Sequence, residues 1–223
     1  MSRPRPTLRP TWQLGRRLVQ LMIGLVVMGV AVTAMKRSLL GLGPWDVFHD
    51  GISHHTGIDL GLVGILVGIP ILLLWLPLHQ RPGIGTIANV FVIGWVVHVL
   101  LPHTSPAAGA WAKVGLMVAG IALFALGQGL YLSAGLGPGP RDGLMTGLNR
   151  QFGWSIRRSR TLIEAAALVA GFALGGAVGV GTVIFAFAIG PMVQVTLRWF
   201  GFQTATVPEL GADPAEAIGL SGE

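Results

Sequence analysis

The sequence predicts an all-α membrane protein: six transmembrane helices form two inverted three-helix repeats, each with a short amphipathic helix after its first span. Composition is the first observation, because 52% of the 223 residues are hydrophobic and only 11% are charged. A soluble domain usually carries about 25% charged residues. This small number of charged side chains cannot cover a water-facing surface. Lipid must therefore surround much of the molecule.

Apolar runs are the second observation, since a helix needs roughly 17–25 mostly apolar residues to cross a bilayer. Six runs qualify: 18–35, 60–78, 84–101, 114–133, 161–178 and 182–197. The first run follows several arginines, as in a signal peptide, but it exceeds the roughly 7–15 apolar residues of such a segment. No A-x-A site follows it. We therefore predict a retained first span.

An internal duplication is the third observation. The motif G-x-G-P-x-D occurs at 41–46 and again at 137–142, and G-x-G-T occurs at 83–86 and again at 179–182, always 96 residues apart. Each copy holds three spans, and because three is odd, the second copy enters the membrane from the opposite side. The predicted parts are a basic cytoplasmic N-terminus (1–17), repeat 1 (18–102), repeat 2 (107–200) and a disordered cytoplasmic tail (201–223).

The basic residues agree with this inversion. With the N-terminus inside, 12 of the 15 Lys and Arg residues fall on the cytoplasmic side, and only Lys36, Arg37 and Lys113 fall outside. Cytoplasmic loops normally carry this excess. Because the charges lie in short stretches between apolar runs, they do not form the basic face that a nucleic-acid-binding module needs. The absence of cysteine excludes disulfides and thiolate metal sites.

The chain resembles a known family of bacterial membrane proteins. The element G-x-G-P-W-D after the first span, the I-G-T turn before the third and the six apolar runs are similar to the YczE/YyaS/YitT family from about Gly15 to Phe200. The YczE branch is the nearest, because the tail has no counterpart of the soluble YitT domain. The resemblance implies a multi-pass protein of the bacterial cytoplasmic membrane with transport or export expected. It brings no established ligand residues.

The stretches 44–55 and 140–151 are too short to span, and each carries one polar face. Their Gly-Pro-x-Asp starts have two interpretations. Pro at the first position and Asp near the positive end of the dipole simply begin a helix well. Alternatively, the paired helix starts bind a small polar or anionic solute, as helix termini do in transporters. The candidate binding residues are then Gly43, Asp46, Gly139 and Asp142.

Polar residues inside the spans are further candidates. His98 in the third span falls on Gln194 in the sixth, so both are candidate solute-binding residues, with interhelical hydrogen bonds as the alternative. Glu164 is a candidate for proton coupling. The alternative for Glu164 is an ion pair with Arg160, which lies one helical turn earlier.

Asp46, His49 and Asp50 share a helical face on which a metal would need His54 or His55 as a further ligand, but the second copy has no histidine there. We predict no metal and no cofactor. Enzyme motifs are missing too, because the G-x-G-T turns lack the strand that a phosphate-binding loop requires. We therefore do not expect an enzyme.

Function follows from the duplication and the paired helix starts. We predict a small-solute transporter or exporter with a central site between the repeats. A membrane interaction or assembly protein that transports nothing is the main alternative, and a membrane-embedded enzyme is a weaker one. The expected partners are the lipid bilayer and the solute, and a homodimer is left open. A polar path between the halves would favour transport, and a dry, solid centre would favour the interaction protein.

Overall fold

The computed structural model describes residues 11–200, which contain eight α-helices, one short 3-10 turn and no β-strand. The basic N-terminal residues before Thr11 and the predicted tail lie outside the described residues. The helices are α1 (Thr11–Ser38), α2 (Pro44–Thr56), α3 (Leu60–Leu73), α4 (Ile84–Leu100), α5 (Ala110–Ser133), α6 (Pro140–Phe152), α7 (Ile156–Ala173) and α8 (Val180–Trp199).

Four of these helices, α1, α4, α5 and α8, are long and apolar enough to cross a membrane. The pair α2 and α3 counts as a fifth candidate, either a broken span or a re-entrant loop, because the two helices meet at a bend of 111°. α7 has 18 residues but carries Arg157, Arg158, Arg160 and Glu164 in its first half. Over residues 11–200 the chain is therefore all-helical, with four or five apolar spans by length and composition.

The second and fifth predicted spans differ from their helices in their limits. α3 ends at Leu73 rather than 78, because the chain beyond Pro70 turns: Trp75 N–H donates to Leu72 O and Leu76 N–H to Leu73 O. α7 begins earlier than predicted, since the Ser155 hydroxyl caps it by accepting from Arg158 N–H. Hydropathy alone therefore misplaces an end that proline or a capping side chain sets.

Helix starts repeat at the interval seen in the sequence. α2 and α6 begin at Pro44 and Pro140, and α4 and α8 begin at Ile84 and Val180, each pair 96 residues apart. α2 and α6 also end alike: Gly57 and Gly153 follow them with φ of 70° and 67°. This left-handed conformation favours glycine.

α1 and α5, the first helices of the two copies, form the centre of the core and run antiparallel. The start of α1 meets the end of α5, where Arg17 Nε donates to Ala134 O at 2.6 Å. The end of α1 meets the start of α5, where Ser38 contacts Met117. Between these points Gly24 and Gly127 bring the two backbones together, because a Cβ on either would lie 2.7 Å from the other's carbonyl oxygen. Small residues permit this close approach in a membrane.

Each half also holds the start of the other half's last helix. Gly85 N–H at the start of α4 donates to Leu136 O at 2.8 Å, and Gly181 N–H at the start of α8 donates to Leu40 O at 2.8 Å. These equivalent bonds connect the α1–α2 loop to α8 and the α5–α6 loop to α4. The loops that precede α2 and α6 are thereby fixed at the junction of the halves.

The third helices of the two copies pack differently. α3 packs along α4, where a side chain at Gly61 would overlap the α4 backbone at Gly94 and His98. Within the described residues, α7 packs against α2 and α6 rather than along α8, with Gly171 against the backbone of Phe48. The two halves therefore adopt different arrangements around a common centre.

Candidate functional site

The starts of α2 and α6 form two sides of a central cavity. Gly43 and Gly139 precede these helices in matching extended conformations, and proline occupies the first helical position of each. Asp46 and Asp142 follow two residues later, and within the described residues their carboxylates accept no hydrogen bond. The two carboxylates are therefore free to meet other groups.

The cavity itself has a volume of about 140 Å³ and lies among α1 to α6. An engineered protein cavity of about 150 Å³ holds benzene, which sets the size of molecule that fits. Its walls are mostly apolar side chains and α3 glycines. The polar residues that line it are Trp45, Asp46, His49, Asn89, Gln128, Tyr131, Arg141 and Asp142.

Three polar atoms of residues that line the cavity have no protein partner within the described residues. They are Trp45 Nε1, Gln128 Oε1 and the Tyr131 hydroxyl, and all three atoms are buried. Tyr131 is 1% exposed and Gln128 is 8% exposed. Since a buried polar group without a partner costs about 1–3 kcal/mol, such groups normally meet a ligand or water.

The charged side chains on the wall are also largely unpaired. Asp46 Oδ1 lies 3.9 Å from His49 Nδ1, while Arg141 and Asp142 form no ion pair with another described residue. Around Gly139, an added Cβ would lie 3.2 Å from Asp142 Oδ2 and 3.3 Å from the Tyr131 hydroxyl. The α6 start therefore concentrates polar groups in a small space.

The structure brings together some of the predicted binding residues. Asp46, Gly139 and Asp142 all line the cavity. Gly43 lies just outside it, because an added Cβ there would lie 2.9 Å from the Phe185 ring. The two short helices therefore line the cavity unequally: the capping glycine of α6 is part of the wall, whereas the capping glycine of α2 is not.

The other predicted residues lie elsewhere. His98 Nδ1 is 3.1 Å from Asp59 Oδ1, the carboxylate that also caps α3. Glu164 accepts from Arg160 Nε at 3.2 Å. Gln194 is exposed on α8 and does not line the cavity. The interhelical and ion-pair alternatives for His98 and Glu164 thus have contacts in the structure, whereas neither side chain faces the cavity.

The Asp46, His49 and Asp50 cluster does not converge. Asp50 faces away from the cavity, pairs with Lys36 Nζ and accepts from Ala177 N–H at 2.9 Å. In the part of the chain that the structure describes, no group of three or more His, Asp and Glu side chains is placed to hold a metal. Helical spacing alone did not reveal that Asp50 has a partner on α1.

Sequence reasoning missed Tyr131, Arg141 and Trp45 as cavity residues. Tyr131 is the chain's sole tyrosine and lies within an apolar span, a signal that was available. Trp45 and Arg141 occupy the second of the two variable positions in the G-x-G-P-x-D motifs. Because the two repeats differ at this position, comparison of the repeats indicated the aspartates that they share and not these two residues.

Apolar helices long enough to cross a bilayer, packed around a cavity with polar walls, define a multi-span integral membrane protein. The chain belongs to a family of unknown function (DUF6198), whose model matches residues 15–198.

Individual relatives of the chain agree with this family assignment. The chain is 37% identical over 178 residues to an uncharacterized protein of Haemophilus influenzae, covering 80% of this chain and 82% of the relative. It is 33% identical over 181 residues to the uncharacterized membrane protein YczE of Bacillus subtilis, covering 78% and 82%. It is 24% identical over 177 residues to the uncharacterized protein YyaS of Bacillus subtilis, covering 78% of this chain and 88% of the relative. No solved structure matches the chain. The expected resemblance to YczE and YyaS is confirmed, and the link to YitT stays a prediction.

Proposed function

We propose that the protein is a small-solute transporter or exporter, and that the central cavity is its solute site. The observation that carries this proposal is the cavity at the starts of α2 and α6, with Asp46 and Asp142 on its wall and three buried polar atoms without a protein partner. A protein that only binds other membrane proteins has no need for such a polar centre.

The proposed framework is a six-span inverted repeat, with α3 and α7 as the second and fifth spans. The antiparallel packing of α1 against α5 supports it, because equivalent helices of an inverted repeat run in opposite directions. The distribution of basic residues further supports cytoplasmic termini. With the family relatives from bacteria, this favours the cytoplasmic membrane as the location.

The unequal packing of α3 and α7 supports movement between two states. Inverted-repeat carriers expose a central site alternately when their two halves exchange arrangements. In this protein α3 is packed along α4 and α7 is not packed along α8. In the opposite state we expect α7 to approach α8 and α3 to leave α4.

Gly64→Cys tests the proposal without knowledge of the solute. Gly64 lines the cavity, and an added Cβ would meet only His49, at 3.7 Å, so a cysteine is tolerated there. The natural chain has no cysteine. We expect a membrane-impermeant thiol reagent to label this variant in right-side-out and in inside-out vesicles, because a transport site must reach both compartments.

Gly190→Cys is the matched control, since an added Cβ there meets no protein atom within 4 Å and the position lies outside the cavity. We expect it to stay unlabelled from either side, because it lies in the middle of an apolar span. If Gly64→Cys is unreactive from both sides, the centre is closed to water, and the non-transporting interaction protein becomes the better proposal.

A further inference from the structure

We propose that the cavity binds a small zwitterion, a molecule that carries one carboxylate and one ammonium group on a skeleton of about six heavy atoms. A small amino acid is the simplest member of this class. The inference rests on the proposed transport function and adds the chemical class of the solute. Three features of the wall support it: its charges, its unpartnered hydrogen-bonding atoms and its size.

Opposite charges face the same cavity without neutralising each other. Arg141 lies on its wall together with Asp46 and Asp142, yet no described Asp or Glu oxygen lies within the 4.0 Å of an ion pair with Arg141. A simple anion would pair with the guanidinium and leave the carboxylates without a counter-charge. A simple cation would do the reverse. Since a charge removed from water needs a partner, a zwitterion suits the site: its carboxylate can pair with the one guanidinium, and its ammonium group can lie between the two carboxylates.

The unpartnered atoms match the same two ends of a zwitterion. Trp45 Nε1 can only donate a hydrogen bond, and the Tyr131 hydroxyl donates readily, so both can serve a carboxylate. Gln128 Oε1 can only accept, so it can serve an ammonium group. A neutral hydrocarbon would leave all three atoms without a partner.

Volume limits the solute to a small one. At about 140 Å³, the cavity is close to the benzene-binding engineered cavity of about 150 Å³. Alanine, with six heavy atoms, has a suitable size. The cavity is narrow between α3 and α4, because the two helices pack closely there: a Cβ at Gly68 would lie 2.6 Å from Val90 Cγ1.

Binding of a matched set of small molecules to the full chain in lipid nanodiscs tests the inference. The set is alanine and β-alanine as zwitterions, propionate as the anion, isopropylammonium as the cation and propionamide as the neutral compound. Isothermal titration and thermal stabilisation are the measurements. We expect one or both zwitterions to bind at least tenfold more tightly than the three other compounds.

Variants that remove a charge identify the side chains that distinguish a zwitterion from a simple cation or anion. We expect Arg141→Gln to abolish the preference for alanine over isopropylammonium, and Asp142→Asn to abolish its preference over propionate. Arg141→Lys should retain the preference, which separates loss of charge from misfolding. Arg157→Gln is the matched control, because Arg157 is exposed on α7 outside the cavity, and it should bind as the natural chain does.

Three results would overturn the inference. If propionate, isopropylammonium or propionamide binds as tightly as both zwitterions, the solute class is wrong, although the proposed transport function stands. If neither zwitterion binds while Gly64→Cys is labelled from both sides, the class is again wrong and transport again stands. Absence of all binding together with an unlabelled Gly64→Cys overturns both proposals.

Discussion

Tyr131 lines the cavity and is part of the hydrophobic core, and its hydroxyl is buried. Tyrosine hydroxyls in protein interiors usually have a partner. Because this hydroxyl has none among the described residues, burying it costs stability that a hydrogen bond to a bound ligand or to water would offset. The polar group is therefore better explained by binding than by folding.

Tyr131→Phe should consequently leave the free energy of unfolding unchanged or raise it by up to about 1 kcal/mol, since no protein hydrogen bond is lost. Affinity for the proposed zwitterion should fall by about five- to tenfold, the value of one hydrogen bond. Thermal unfolding with and without alanine measures both effects. A variant that is clearly less stable without alanine would show that the hydroxyl supports the fold instead.

The same substitution, aspartate to asparagine, at two positions of α2 distinguishes a carboxylate that stabilises the fold from one that is available for binding. Asp50→Asn removes the carboxylate that pairs with Lys36 and accepts from Ala177 N–H, and we expect a loss of about 2–3 kcal/mol. Asp46→Asn removes no hydrogen bond, so only a helix-dipole contribution of about 0.3–1 kcal/mol is lost. Folded yield after heating, followed by size-exclusion chromatography, measures the difference. Equal losses would mean that Asp46 serves the helix start alone.

At the scale of the element, α6 is fixed by an aromatic side chain from the chain segment after α3. Trp75 is buried, and its Nε1 donates to Pro140 O at 2.9 Å. The indole lies so close to α6 that a Cβ at Gly143 would overlap it. The position of Arg141 and Asp142 on the cavity wall therefore depends on Gly143, which leaves room for the Trp75 indole.

Gly143→Ala should displace the Trp75 indole and lower the free energy of unfolding by about 1–3 kcal/mol, as overpacking usually does. Gly115→Ala is the matched control in α5, because an added Cβ there meets no protein atom within 4 Å. It should raise stability by roughly 0.5–1 kcal/mol, since alanine is the better helix former. Thermal unfolding of the two variants in the same detergent checks the contrast, which would be absent if Trp75 could move freely.

The starts of the two short helices were predictable from local chemistry, whereas the start of α7 and the end of α3 were not. Pro44 and Pro140 begin α2 and α6 as expected, because proline is favoured at the first helical position. The end of α3 at Leu73 depends on turns beyond Pro70 that hydropathy does not record. Which polar residues meet in the cavity also depends on packing between distant helices, as Asp50 and His98 demonstrate by turning to other partners.

At the scale of the whole molecule, the proposed transport depends on the orientation of the two repeats in the membrane. His55 and Gln151 are equivalent exposed residues near the ends of α2 and α6. We expect His55→Cys and Gln151→Cys to react with an impermeant reagent from opposite sides of the membrane. They are better reporters than Ser53 and Asn149, whose side chains donate to Ile58 O and Trp154 O, each at 2.6 Å. Labelling from one common side would exclude the inverted repeat.

The reciprocal backbone bonds at Gly85 and Gly181 have a consequence for how such a protein can arise. In the first turn of each unit's last helix, one N–H group, that of Gly85 or Gly181, donates to a carbonyl that belongs to the other unit. In the proposed inverted repeat, a lone ancestral unit would have had to meet a second copy inserted in the opposite orientation in the same bilayer. Gene duplication with fusion makes that encounter permanent, so every chain is synthesised with its counterpart attached.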